Sequence, residues 1–181
     1  NGGGGIGIQG VIGYSAVRVV LATTVSTDGN TLEAEDPLRL FADIADQNSP
    51  VDRGFFFAVR NTLYAGLLTR QDSNGLFMFA LAAGMAGGGP MRQAMAGYPV
   101  VTSTNIPNNR AKGSGTTLTL VLGGVGAEWV IARAGVVEVA VTNSDASKFQ
   151  QRMSTMRGTQ YIDAGPRHET SFGMVDTVLN S

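Results

Sequence analysis

Gly97-Tyr98-Pro99-Val100-Val101 opens the part of the chain that decides its fold. It is followed by Thr116-Thr117-Leu118-Thr119-Leu120-Val121-Leu122, by the paired runs 129–133 (Trp-Val-Ile-Ala-Arg) and 136–141 (Val-Val-Glu-Val-Ala-Val), and by a polar segment centred on Phe149 and Arg157. Valine, threonine and aromatic residues suit a pleated, half-buried backbone. Within 136–141, Val137, Val139 and Val141 fall on one face and Glu138 on the other, which predicts a half-buried strand. The second half of the chain therefore reads as a succession of strands.

Towards the N-terminus the pattern is mixed. The stretch 11–25 is rich in β-branched residues, with Val17, Val19, Leu21 and Thr23 on one face, and predicts a strand ended by the turn Asp28-Gly29-Asn30. Asp36-Pro37 predicts a helix start, because Asp caps free N–H groups and Pro tolerates the first helical position. Leu38, Phe41, Ala42 and Ala45, with Leu40 and Ile44 beside them, then give an apolar face as far as about Gln47, before Pro50. Phe55-Phe56-Phe57-Ala58-Val59 is apolar on both faces, as a covered central strand requires. Asn61 is placed to cap a second helix, with Leu63/Leu67 and Tyr64/Leu68 at helical spacing. Asn74-Gly75 is a strong hairpin signal, and 84–90, with four glycines among its seven residues and ending in proline, predicts a loop. The sum is an α+β chain without a repeat of fixed period.

Composition narrows the function. The 181 residues suffice for one domain, or two lobes of one, without disulfides. Cysteine is absent, so thiol catalysis and thiolate metal sites are excluded, and a reducing compartment suits the chain. The formal charge is −1 and no Lys/Arg block occurs, which argues against a dedicated nucleic-acid binder. Apolar runs such as 76–83 fall far short of the ~20 residues that span a bilayer, and the start lacks the pattern of a signal peptide; no membrane partner is expected. Charged residues make up only 15% of the chain while glycine reaches 25, which leaves much of the surface neutral: a weakly charged coat on a monomer, a set of contact faces on a lattice subunit.

Three constellations invite catalytic readings. Gly5-Ile6-Gly7-Ile8-Gln9-Gly10 fits the dinucleotide pattern in letters, but no strand precedes it and a strand, not a helix, is predicted after it. His168, the one histidine, lies near Ser171 and Asp163 on a single extended segment whose side chains alternate in direction and cannot converge. Asp36, Asp43 and Asp46 read as a solvated helix face. Met85, Met91, Met95, Met153 and Met156 read either as adaptable contact surface or as core. No catalytic residue, cofactor or metal site is predicted.

Taken in order, these pieces resemble the C-terminal half of the major capsid proteins of tailed bacteriophages, the Hong Kong 97 fold. The matching pieces are the glycine-rich start 1–5 leading to Ile6 and Gln9-Gly10-Val11, the turn Asp72-Ser73-Asn74-Gly75-Leu76-Phe77, the Gly97 to Val101 strand, and Lys148-Phe149-Gln150-Gln151-Arg152-Met153 leading to Arg157. The resemblance implies an axial lobe over 35–142 and a peripheral lobe built from 1–34 and 143–181. The family's N-terminal arm, extended loop and spine helix have no counterpart here, and the chain, which begins without Met, is expected to be the C-terminal part of a longer polypeptide. Cross-linked members use an asparagine where Arg152 stands, so a covalent cross-link does not carry over. Where many members have Gly-Asp-Phe, this chain has Gly123-Gly124-Val125-Gly126-Ala127-Glu128.

By the same resemblance the chain is a virion subunit assembled in the bacterial cytoplasm. It would join itself in pentamers and hexamers, with a scaffold or maturation protease in the parent protein and double-stranded DNA as an indirect partner. Candidate contacts are Gly87, Gly88 and Met91, and Asn108 in the 105–114 loop, near the capsomer axis, and Arg152, Arg157 and Arg167 around local three-fold positions. An encapsulin-like nanocompartment shell is the alternative within the fold, and a small nucleotide-binding α/β enzyme the alternative outside it.

Overall fold

A computed structural model describes residues 10–71, 94–142 and 155–180. Nine strands and two helices are described: β1 (Arg18–Val20), α1 (Asp36–Ala45), β2 (Phe55–Val59), α2 (Asn61–Thr69), β3 (Ala94–Met95), β4 (Tyr98–Thr102), β5 (Arg110–Lys112), β6 (Gly115–Val125), β7 (Trp129–Thr142), β8 (Thr155–Pro166) and β9 (Phe172–Val178). Seven strands form one mixed sheet in the order β1-β9-β6-β2-β4-β3, with β5 also on β6. β7 and β8 form a separate antiparallel ribbon. Segments 1–34 and 143–181 thus contribute β1 and β9 to the sheet that holds β6, β2 and β4.

The core follows from β2. Phe55, Phe57 and Val59 alternate as buried residues, and Phe41 of α1 and Tyr98 of β4 pack their rings on Phe55 at centroid distances of 5.1 Å. Edge-to-face aromatic contacts of this kind add stability beyond the area they bury. Leu40 and Ile44 of α1, and Leu63, Tyr64 and Leu67 of α2, complete this core with Val121, Val125 and Val175. Close approach of α1 requires glycine beneath it: a Cβ at Gly173 or Gly123 would lie 2.9 or 3.0 Å from the Leu40 methyls.

Several local expectations are corrected. The predicted strand over 11–25 is a 3-10 turn (Val11–Gly13) followed by three strand residues. Val17 is buried while Val19 and Leu21 are exposed, because β1 is an edge strand paired only with β9 over those three residues. Glu35 occupies the N-cap position of α1 without a side-chain capping bond, and the helix's buried apolar residues are Pro37, Leu40 and Ile44, leaving Leu38 exposed. Asp36, expected on a solvated face, is fully buried and faces back along the chain. It accepts the Thr23 N–H (2.8 Å), the Thr23 hydroxyl (2.7 Å) and the Glu33 N–H (2.7 Å). Asn61 makes no capping bond; Arg60 holds the N-cap and donates to the Thr104 and Ile106 carbonyls. The runs 129–133 and 136–141 are one strand, β7, paired with β8 rather than with each other. The Asn74-Gly75 hairpin and the 84–90 loop lie outside the described residues.

Polar side chains tie the edges down. Asn30 donates to the Asp176 carbonyl and the Thr177 hydroxyl and accepts Lys112, and Arg110 grips both carboxylate oxygens of Asp176. On the other edge Arg18 donates two bonds to Asp43, at 2.8 and 2.7 Å. These hydrogen bonds, partly opposed by desolvation, hold the Asp43 carboxyl below the ordinary 3.8. A carboxyl with a lower pKa folded than unfolded stabilises the fold above its unfolded value, and that contribution disappears as pH falls through the folded value. Asp43→Asn is therefore expected to unfold less steeply with acid below about pH 4. Acid titrations followed by circular dichroism check this, and identical slopes for the two proteins would contradict it.

Candidate assembly interface

The ribbon grows out of the middle of the sheet. Adjacent strands β6 and β9 each pass through a 3-10 turn, Gly126–Glu128 and Glu169–Ser171, and the antiparallel pair continues as β7 and β8. At this junction the Trp129 ring meets Phe172 and Tyr14 edge-on, at 5.8 and 6.4 Å. Glu128, buried, accepts from His168 Nδ1 at 2.6 Å, and its carbonyl accepts the Arg167 N–H. Glu169 accepts the Ala16 N–H, and Ser171 bonds Ser49. His168, Ser171 and Asp163 therefore have separate partners and form no catalytic constellation.

Beyond the junction the ribbon loses its cover. Ile131, Val136, Val137, Val139, Val141, Met156 and Tyr161 are all more than half exposed, Val136 at 86%. The half-buried strand expected at 136–141 is thus open on both faces, since alternation reports which residues share a face but not whether anything covers it. Gly135, at φ +74°, lies where the ladder is irregular, between Ala134 and Glu138. A two-stranded ribbon is at best marginally stable alone in water, and an apolar one is adhesive.

The sequence-predicted contacts scatter. Arg157 lies on β8 opposite Ala140, exposed, and Arg167 lies just past the base of the same strand. At ~3.3 Å per residue the two are roughly 33 Å apart and cannot share one contact. Asn108 sits in an exposed bend between β4 and β5, beside Pro107, whose carbonyl accepts the Thr119 hydroxyl. Gly87, Gly88, Met91 and Arg152 lie outside the described residues. Met95 is core and Met156 surface, so the methionines divide between the two readings; Met85 and Met153, like Met91, are not among the described residues.

Two concavities accompany these features. A groove of about 220 Å³ at the ribbon base is walled by Tyr14, Val130, Ala132, Gly165 and Pro166, with Asp163 and Arg167 also lining it. A larger, polar cleft of about 390 Å³ lies by β5 and β9, where the charges of Arg110 and Asp176 satisfy one another. Among the described residues no three His, Cys, Asp or Glu side chains gather to hold a metal, and no helix is long and apolar enough to cross a membrane. What the described chain offers is surface for association.

Comparison with known proteins agrees. The capsid of the native GTA particle superposes with a TM-score of 0.60 at 13% identity, covering 96% of this chain and 57% of that one. The chain from Gordonia phage Cozz gives 0.51 at 16%, covering 90% and 50%. The SrpI encapsulin complex from Synechococcus elongatus PCC 7942 gives 0.51 at 13%, covering 90% and 55%. This chain therefore spans about half the length of the shell proteins it resembles, and no curated protein matches it. An α+β sheet body with a projecting ribbon is thus a shell-protein fold, and since the phage capsid family matches residues 1–176, the chain belongs to that family.

Proposed function

We propose that this chain is the sheet body and arm of a structural subunit of an icosahedral phage or prophage capsid, joining its own copies in pentamers and hexamers around DNA. The observation that carries this reading is the open apolar ribbon on a member of the phage capsid family. Its task is association rather than turnover, and it resides in the virion after assembly in the host cytoplasm. Many copies of a weak contact become cooperative when a lattice closes. A scaffold or maturation protease belongs to the parent protein's partners, and packaged DNA is met only indirectly, in keeping with a formal charge of −1. The axial and peripheral lobes are part of the proposal. They are the axial lobe over 35–142 and the peripheral lobe built from 1–34 and 143–181. Gly87, Gly88, Met91 and Asn108 are assigned to axial contacts, and Arg152, Arg157 and Arg167 to peripheral ones.

The test is electron microscopy of the full-length polypeptide expressed alone. Closed shells or hollow capsomers support the reading, whereas a monodisperse monomer with and without a co-expressed scaffold sinks it. Arg157→Ala is expected to lower particle yield about tenfold without changing the circular dichroism of the free subunit, since the side chain is exposed. Unchanged yield removes Arg157 from the contacts. The likeness to an encapsulin chain supports a second reading, a nanocompartment shell. Nucleic acid content of purified particles separates the two: DNA-filled particles favour the phage, particles filled with a protein cargo the nanocompartment.

A further inference from the structure

Successive residues of a strand point to opposite faces, so the pairing register assigns every ribbon side chain to a side. Between the rungs Ala134–Tyr161 and Glu138–Thr159, residues 135–137 of β7 stand against Gln160 alone, which adds two residues and keeps the alternation in phase. One face then carries the bulky apolar residues Ile131, Val139, Val141, Met156 and Ile162. The other carries the rungs Ala132–Asp163, Ala134–Tyr161, Glu138–Thr159 and Ala140–Arg157.

On this second face Glu138 and Arg157 are neighbours two rungs apart, and both are exposed. Neither takes part in the ion pairs formed among the described residues. On their own two rungs the partners are small, Thr159 and Ala140, so another surface can approach there, while Tyr161, also exposed, stands on the next rung of the same face. A face with one positive and one negative group side by side is complementary to itself. A two-fold axis passing between the two positions sets each arginine over the other copy's glutamate. A phosphate backbone is a poor occupant, because Asp163 on the same face makes it net negative.

We propose that two copies of this chain meet through this ribbon face, with Arg157 of each pairing with Glu138 of the other; the proposal rests on the shell reading above. Opposite charges placed this way fix register and partner, and like charges placed this way repel.

The test uses the full-length polypeptide, with particle yield read by sedimentation and electron microscopy. Glu138→Arg and Arg157→Glu, made separately, each set like charges together and are expected to lower yield about tenfold or more. Mixing the two variants places opposite charges at both contacts and is expected to restore yield to within about twofold of the unaltered protein. The double variant Glu138→Arg/Arg157→Glu is expected to assemble by itself, which also shows that either substitution is compatible with folding. Singles that assemble normally, or a mixture as poor as its components while the double variant assembles, overturn the pairing. Absence of particles from the unaltered protein is seen before any variant is compared, and it overturns the shell reading and the pairing together.

Discussion

Replacing Gly124 by alanine is expected to destabilise the fold by about 3 kcal/mol, at the top of the usual range for overpacking. The added Cβ would lie 2.3 Å from Cδ1 of Phe172 and 2.8 Å from its Cε1, so one of the two residues must move. Phe172 has nowhere to go: it is 1% exposed, is the cross-strand partner of Gly124 in the β6–β9 ladder, and packs against the Trp129 ring at 5.8 Å. Urea denaturation followed by tryptophan fluorescence measures the loss. Gly126→Ala is the internal control, because the nearest atom to its Cβ would be at 3.6 Å, an ordinary contact. Its cost should stay within about 1 kcal/mol. Trimming the ring with Phe172→Leu in the Gly124→Ala background should recover part of the loss, which a purely backbone effect would not. Equal stability of the two alanine variants would show that the sheet absorbs the clash.

Asp36→Ala is the second large effect, again about 3 kcal/mol, in the range for removing a charged acceptor from buried donors. The carboxylate is fully buried and ties the 23–33 segment to the start of α1 through the Thr23 and Glu33 N–H groups and the Thr23 hydroxyl. Without it those N–H groups lose their acceptor inside the fold. Asp36→Asn keeps the shape but turns one acceptor into a donor facing other donors, so it should recover little. Denaturant midpoints for the two variants decide the matter. A midpoint for Asp36→Asn close to that of the unaltered chain would mean that shape, not acceptance, is what the site needs.

Asp36 also shows where sequence reading stops. Asp-Pro announces a helix start, and α1 begins there; the identity of the donors, thirteen and three residues back, is a tertiary fact. Local periodicity served well where both neighbours of an element are set by its own pattern. The strand over 55–59, the Leu63/Leu67 spacing and the β6 run all appear as read, although β2 buries Phe55, Phe57 and Val59 more deeply than Phe56 and Ala58 between them. It failed for β1, whose length is limited by pairing to β9 some 155 residues away. It failed again for β7, whose partner lies beyond residues 143–154 rather than across a short turn. For the contacts, Glu138 was seen to face away from the valines, but only the register with β8 brings it beside Arg157.

The junction of ribbon and sheet has a mechanical meaning. Since β6 and β9 run into β7 and β8 through single 3-10 turns, pulling on the arm draws on two neighbouring strands at the centre of the body. Their hydrogen bonds lie across the direction of pull. Drawn the same way, the two strands shear together against β2 and β1 on their outer sides, and the bonds of those ladders must break together rather than one after another.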